Sequence, residues 1–187
     1  MIWVGIVLIS LFGTLAHFLY EISGCNKVLG IFTAVNESTW EHIKIALTPT
    51  LIWGLVDGYI YGADPNYFLA KLASLLTLVV VIPVIFYSYK LITKKPVLFI
   101  DITTFYLAII LSQFVFYKII EAPDVNFLGT YLACAGTFIF FGAYTLLTLM
   151  PLKNPIFKDP ITHKYGFRAH TQLFKKSPKN SKKKKTH

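Results

Sequence analysis

The sequence is poor in charged residues, which make up only 14% of its 187 residues, whereas 55% are hydrophobic. Its mean hydropathy is +0.60. In ordinary soluble domains about a quarter of the residues are charged. This composition excludes an ordinary soluble domain and indicates an integral membrane protein, so we expect the lipid bilayer to be the main partner of the chain.

Cysteine is also scarce. The two cysteines, Cys25 and Cys134, do not have the spacing of a metal site or a redox motif, and we expect no disulfide between them. The sequence has no glycine-rich phosphate loop, nucleophile elbow or haem-attachment pattern. These absences argue against the common nucleotide-binding, serine-hydrolase and c-type haem proteins, and no cofactor is certain from the sequence.

The first 150 residues carry no net positive charge, because their seven lysines stand against eight acidic residues. The net charge of +9 comes from the region after residue 150, where eleven Lys and Arg residues stand against the single acid Asp159. A charged tail is not a folded basic face, so we expect no nucleic-acid binding. We predict a basic cytoplasmic tail at 151–187, with an ordered turn to about residue 170 and disorder beyond. Its Lys182–Lys185 run either binds anionic lipid or serves only as a topology signal.

Five apolar segments are long enough to cross a bilayer, which requires about 20 helical residues. The first segment lacks the cationic start of a signal peptide and is longer than its apolar region, so we interpret it as a retained span. The predicted fold class is all-α, with a transmembrane domain of five helices at 1–150. The predicted spans are 2–22, 38–61, 67–90, 97–119 and 126–150.

The loops between these spans differ in their lysine content, which predicts their orientation. Lys90, Lys94 and Lys95 lie between the third and fourth spans, and the basic tail follows the fifth. The loops 62–66 and 121–124 contain no Lys or Arg. We therefore expect the N-terminus outside, the C-terminus in the cytoplasm, and a multi-pass protein of a bacterial cytoplasmic membrane. The sequence does not indicate an oligomeric state.

Ionisable residues concentrate at the cytoplasmic ends of the first two spans. The first span carries Ser10, Thr14, His17 and Glu21 on one helical face, at spacings of four, three and four. The same spacing recurs around the start of the second span, from Glu37 onward. If the two spans are antiparallel neighbours, these groups meet in a cytoplasm-facing pocket. The predicted pocket consists of His17, Glu21, Glu37, Glu41 and His42, with Asp101, Lys44, Asn36 and Trp40 at its margin.

The carboxylates of this pocket require compensation inside a membrane. Lys44 could supply it, which would give a salt-bridged cluster in a structural or assembly protein. A divalent metal such as Zn, Mn or Fe is the second candidate, because helix bundles bind these ions with imidazole and carboxylate ligands. With Glu37 or Glu41 as general base, a metal-bound water would give a membrane-embedded hydrolase or transferase. The sequence leaves these alternatives open, together with binding of a small ligand.

Several of the same residues also have structural interpretations. Ser38 and Glu41 match a capping box at the start of the second span. Trp40 is typical of an interfacial anchor, and Asp101 of a first-turn acid that stabilises the helix dipole. Nearer the external surface, Asp57 is expected to bond locally close to water. Lys71 is expected to extend outward to the interface.

The chain resembles a family of small bacterial multi-spanning membrane proteins of unknown function. The resemblance implies a membrane protein and singles out the same polar residues, but it brings no activity. This sequence has His163 where the family pattern has glycine, and its lysine-rich tail is an addition. The resemblance covers about residues 10–166, and its motifs are His17-Phe18-Leu19-Tyr20-Glu21 through Ser23-Gly24, Val35-Asn36-Glu37-Ser38-x-Trp40-Glu41-His42, and Phe157-x-Asp159-Pro160-x-Thr162-x-x-Tyr165-Gly166.

Overall fold

The computed structural model describes residues 1–169, and its five long elements are all α-helices. The predicted all-α class is confirmed, and each helix matches one predicted span with ends that differ by at most three residues. All five are long and apolar enough to cross a membrane, which supports a multi-pass membrane protein. The helices are α1 at Ile2–Ile22, α2 at Thr39–Tyr61, α3 at Tyr67–Thr93, α4 at Leu98–Ile120 and α5 at Phe127–Leu149.

The first four helices form a closed group in which each helix packs against the next. α1 contacts α2 and α4, α3 contacts the same two helices, and α5 packs on the outside of α3. The helices run alternately up and down because the connections 62–66, 94–97 and 121–126 are short. We call the end that carries residues 23–38 and 94–97 the tail side, and the end that carries 62–66 and 121–126 the far side.

Helix α2 is the central helix of the bundle. In an apolar 18-residue stretch of α2, 61% of the residues are buried inside the protein, compared with 17% in α5. It also carries more polar residues than the other spans, and polar side chains turned toward lipid are costly. The burial of α2 therefore follows from its sequence, and it places its polar side chains among the other helices.

A glycine allows α1 to approach α2 closely near the middle of both helices. Pro49 has no backbone N–H, which leaves the carbonyl of Ile45 without its usual helical partner. A Cβ built on Gly13 would lie 2.7 Å from that carbonyl oxygen and 2.6 Å from Phe105 Cζ on α4. Only glycine fits at this contact, which holds the tail-side half of α1 against α2.

The chain after α5 returns to the tail side of the bundle. We call residues 151–169 the docked segment. It contains a short 3₁₀ turn at Pro155–Phe157 and one antiparallel bridge between Lys158 and Tyr165. The ring of Phe157 packs 5.0 Å from that of Trp40 at the start of α2. The predicted disorder beyond residue 170 and the predicted lipid contact of Lys182–Lys185 lie outside the described residues.

Lys71 does not extend to the interface, contrary to our expectation. Its side chain is buried, and its ammonium lies 2.6 Å from Asp57 Oδ2. Gly54 of α2 leaves room for the lysine stem, with Lys71 Cε 3.4 Å from where a Cβ would stand. Asp57 is also buried rather than close to water. Both predictions were wrong because each charge had its partner on the neighbouring helix, which a single span does not reveal.

Candidate functional site

The loop before α2 is fixed by a polar contact at each of five consecutive residues, 34–38. Ala34 N donates to the Ala16 carbonyl of α1, and Val35 N donates to Glu41 Oε2 at 3.0 Å. The Asn36 side chain donates to the Gly166 carbonyl and accepts from Ser38 N at 2.8 Å. This loop is therefore held by α1, by α2 and by the docked segment together.

The fifth contact of the loop comes from Asp159 in the docked segment. Asp159 is fully buried, and its Oδ1 accepts the backbone N–H of Glu37 at 3.1 Å. Its Oδ2 accepts the N–H and the hydroxyl of Thr162, which closes a turn in which His163 has a left-handed φ of 57°. Asp159 thus fixes the backbone from which the Glu37 side chain projects.

Glu41 and Lys44 form a buried ion pair under this loop. Lys44 Nζ lies 2.6 Å from Glu41 Oε2, and the two side chains are 0% and 4% exposed. Lys44 also donates to the Gly30 carbonyl at 2.9 Å, and the Glu41 carboxylate accepts from Val35 N. Both charges are paired and further hydrogen-bonded, which a buried ion pair requires. Lys44 is therefore the counter-charge of Glu41.

The predicted capping box at the start of α2 does not form. Ser38 is the N-cap residue, but its side chain makes no capping hydrogen bond among the described residues. The Ser38 N–H donates to the Asn36 side-chain oxygen, and the Glu41 carboxylate accepts from Val35 N and pairs with Lys44. The capping box does not form because the Ser38 N–H and the Glu41 carboxylate each bind another group in the folded chain.

His17, Glu37 and His42 lie close together at the tail side. His17 Nε2 lies 3.9 Å from Glu37 Oε1, and His42 Nε2 lies 3.9 Å from Glu37 Oε2. The two imidazole centroids are 6.0 Å apart. Each side chain is partly accessible, at 30%, 31% and 43% exposed for His17, His42 and Glu37. Of the five predicted pocket residues, Glu41 is therefore buried with Lys44, Glu21 is exposed, and His17, Glu37 and His42 form an accessible group.

The tautomer of His42 is fixed by the backbone of α2. His42 Nδ1 lies 3.0 Å from the Ser38 carbonyl, which can only accept a hydrogen bond, so Nδ1 carries a proton. In the neutral imidazole, His42 Nε2 then carries a lone pair and no proton, and it lies 3.9 Å from a carboxylate oxygen of Glu37. Two such electron-rich groups face each other favourably only when a positive charge lies between or on them.

A cavity of about 160 Å³ opens beside this group. Its wall includes His17, Glu37 and the exposed Glu21, one helical turn after His17. Within residues 1–169, no three His, Cys, Asp or Glu side chains are close enough to hold a metal without movement. The polar groups are thus arranged around an opening, with separations wider than those of a closed metal site.

The remaining predicted margin residues have structural partners. Trp40 packs between Phe157 and Tyr144, with ring centroids at 5.0 and 6.3 Å, so it lies under the docked segment. Asp101 accepts a short hydrogen bond from Tyr89 on α3 and lines a small cleft that His42 also borders. Neither residue contacts the accessible group directly in the described hydrogen bonds and ion pairs.

The comparison with protein families assigns the chain to a family. The match to the family of unknown function DUF6512 runs over residues 1–167. The chain belongs to DUF6512. No curated protein and no solved structure matches the chain.

The DUF6512 match includes every residue of the site. It covers α1 to α5 and nearly the whole docked segment, including Asp159. The sequence resemblance pointed to Asp159 and Thr162 as motif residues, but sequence reasoning gave them no role at the site. Because the DUF6512 description names no activity, the function has to be inferred from the geometry of the site.

Proposed function

We propose that this protein is a divalent-cation-binding integral membrane protein whose site is formed by His17, Glu37 and His42. We place the tail side in the cytoplasm of a bacterial cytoplasmic membrane, on the lysine distribution of the loops. The observation that supports cation binding most strongly is the pair of imidazole Nε2 atoms, each 3.9 Å from a different oxygen of one carboxylate.

A proton on each imidazole would explain this arrangement less well than a metal ion. An N–H···O hydrogen bond is about 2.7–3.2 Å long, and the two separations exceed that range. Two ligands at about 2.1 Å from a tetrahedral ion lie about 3.4 Å apart. Each of the two histidine–Glu37 separations would therefore have to shorten by about half an ångström for these side chains to share one ion.

The surroundings of the group also favour a metal. The hydrogen bond from His42 Nδ1 to the Ser38 carbonyl is the outer contact that metal-binding histidines usually make. The Asp159 carboxylate holds the backbone of Glu37 in the same way. Glu21 borders the cavity and could supply a fourth ligand or hold a bound water. This set of nitrogen and oxygen ligands suits Zn, Mn or Fe.

A structural role is the second candidate, and the buried Glu41–Lys44 pair favours it. The pair ties α2 to a second 3₁₀ turn, at Leu29–Ile31, through the Gly30 carbonyl and to the loop before α2 through Val35. This network sets the register of α2 against the tail-side loop. It supports the accessible group, so the two roles are compatible within one site.

A hydrolase or transferase activity would need a carboxylate beside a metal-bound water. Glu41 fits that role poorly because Lys44 and Val35 already occupy its carboxylate. Glu37 is the other base candidate from the sequence, and as a base it would not be a metal ligand. In that case the variant Glu37→Gln would abolish turnover while the metal stays bound.

The test is the metal content of the purified, folded protein after equilibration with Zn²⁺ or Mn²⁺ and removal of free metal. We expect about one ion per chain in the wild type and in His163→Asn, a control that changes an exposed histidine of the docked segment. Asparagine tolerates the left-handed φ at this position. We expect the ion to be lost in His17→Ala and in Glu37→Gln.

Equal and substoichiometric metal in all four proteins would rule out cation binding. If the variants lose their fold together with their metal, a melting curve of each apo protein decides the outcome. A Glu37→Gln protein that melts as the wild-type apo protein does, yet binds no metal, supports the metal site. Unfolding of that variant in the absence of metal would support the structural role instead.

A further inference from the structure

A second polar cluster lies in the far-side half of the bundle, separate from the tail-side site. We call it the far-side cluster. Its members come from three helices and are the buried Trp53, Asp57, Lys71 and Gln113, together with the partly buried Tyr117.

The Asp57–Lys71 ion pair is the charged part of the far-side cluster. Its atoms are 2.6 Å apart, and the Lys71 ammonium also lies 4.5 Å from the centre of the Phe116 ring. Trp53 is one helical turn before Asp57, and its indole lies near the Asp57 carboxylate without closing a hydrogen bond to it. Neither Trp53 Nε1 nor Asp57 Oδ1 completes a hydrogen bond with any described residue. The pair is therefore less fully satisfied than Glu41–Lys44.

Gln113 is the most unusual residue of the far-side cluster. Its side chain is 0% exposed, and neither its amide oxygen nor its amide nitrogen has a hydrogen-bond partner within residues 1–169. A buried amide without partners is costly in a protein interior. An amide in this state calls for a hydrogen-bond partner other than the described residues, such as water.

The contact that encloses Gln113 is made by a glycine of α1. A Cβ built on Gly5 would lie 2.8 Å from Trp53 Nε1 and 3.0 Å from Gln113 Oε1. The indole and the amide are therefore covered by the bare backbone of α1, and no water fits against the amide in this packing. A small separation of α1 from α4 at Gly5 would expose both groups at once.

The donor and acceptor character of the unpartnered atoms indicates which kind of ligand would bind in the far-side cluster. They include donors on Trp53 and Gln113 and acceptors on Asp57 and Gln113, beside an ion pair with no net charge. A cation would meet the Lys71 ammonium, and an anion would meet the Asp57 carboxylate. Water both donates and accepts, so it satisfies this set of atoms better than an ion does.

The depth of such a site is limited by an apolar layer. Ile9, Leu47 and Ile109 are 1%, 0% and 0% exposed and lie between Gln113 and the tail-side residues in the order of their helices. Ile109 is one helical turn from Gln113 on α4, on the same face. Water that enters from the far side would therefore stop at this layer.

We propose that the far-side cluster is a water-binding vestibule that opens from the far side when α1 separates from α4 at Gly5, and that ends at Ile109. The protein then has two polar sites at opposite ends of the bundle, with an apolar layer between them. This inference does not depend on cation binding at the tail side.

Cysteine accessibility tests the vestibule directly. In a background with Cys25 and Cys134 replaced by serine, Gln113→Cys and Ile109→Cys are treated with a small hydrophilic thiosulfonate, which requires a hydrated thiol. Both wild-type side chains are fully buried, so static burial predicts equal inertness. We expect Gln113→Cys to react at least about tenfold faster than Ile109→Cys. Adding Gly5→Ala, which pushes α1 outward, should increase the Gln113→Cys rate, whereas Gly142→Ala on α5 should leave it unchanged.

Equal inertness of the two cysteines, with and without Gly5→Ala, would overturn the vestibule. If Gln113→Cys does not fold, hydroxyl-radical footprinting of the wild type replaces it. We then expect oxidation of Trp53 that falls severalfold in Gln113→Leu, with the exposed Tyr59 as the reference for dose. A Trp53 that stays unmodified while Tyr59 is labelled would overturn the proposal just as directly.

Discussion

At the scale of single residues, the tail side of the bundle combines two kinds of charge. Glu41 and Lys44 are sealed inside the protein and satisfied by backbone groups, whereas His17, Glu37 and His42 are partly exposed and held apart. The first arrangement is typical of a structural contact. The second leaves ligand atoms available, which is the property that a binding site requires.

The Glu41–Lys44 pair gives the first prediction. Glu41→Gln or Lys44→Met alone should lower the free energy of unfolding by about 3–5 kcal/mol, because each leaves a buried charge without its partner. The double variant should be less destabilised than the sum of the two single variants. Denaturant titration in detergent micelles measures all three. Additive losses would show that the two side chains do not act as a pair.

Asp159 gives the second prediction. Asp159→Asn keeps the shape of the side chain and removes its charge, so its hold on the Glu37 N–H weakens. We expect metal affinity at the tail-side site to fall by about 10- to 100-fold, as for other outer-shell changes. The control Asp64→Asn alters a carboxylate of a far-side loop, which accepts from Asn66 N, and should not change the affinity. Equal affinities for both variants and the wild type would remove Asp159 from the site.

Sequence reasoning identified the polar residues of the site but could not assign their partners. Helical spacing predicted that His17 and Glu21 share one face of α1, because a period of 3.6 residues fixes which side chains share a face. Glu37 lies in the loop before α2, so its position beside His17 depends on the loop and on Asp159 rather than on helical spacing. Helical spacing could not separate Glu41 from Glu37, since the choice depends on the Gly30 carbonyl and the Val35 N–H of an irregular loop. Asp57 and Lys71 were misjudged for a related reason, because their pairing depends on how α2 packs against α3.

At the scale of the elements, the helices follow from apolar length, whereas their contacts follow from small residues. The five spans were predictable because lipid requires long apolar helices with internally satisfied backbones. The docking of 151–169 was only partly predictable. Its prolines and turn residues indicated a fold-back, but its anchor points on Trp40 and Glu37 required the three-dimensional packing.

Gly13 gives a prediction at this scale. Gly13→Ala would place a Cβ against the Ile45 carbonyl and the Phe105 ring, so α1 must move away from α2 and α4. We expect a loss of about 1–3 kcal/mol in the free energy of unfolding. Gly142→Ala is the matched control, because no atom lies within 4 Å of its built Cβ, and it should stabilise α5 by up to about 1 kcal/mol. Similar effects at both glycines would contradict the close α1–α2 contact.

At the scale of the whole molecule, the protein is a closed group of four helices with α5 on its outside and the docked segment across its tail side. The two polar sites lie at opposite ends, and the apolar layer of Ile9, Leu47 and Ile109 lies between them.

The orientation of the bundle gives the next prediction. The tail-side loops and the tail contain Lys residues, whereas the far-side loops 62–66 and 121–126 contain no Lys or Arg, so we expect the tail side to face the cytoplasm. A reporter active only outside the cytoplasm should be active when it is fused after Asp124 and inactive when it is fused after Lys153. A reporter that is active after Lys153 and inactive after Asp124 would show the opposite orientation.

The central claim is that the first two helices and the loop between them bring His17, Glu37 and His42 around one divalent cation. An anomalous difference map of crystals equilibrated with Zn²⁺ tests this claim most directly. We predict a single strong peak about 2.0–2.2 Å from Nε2 of both histidines and from the Glu37 carboxylate. A map with no peak at these three side chains, or with its main peak elsewhere on the chain, would contradict the account.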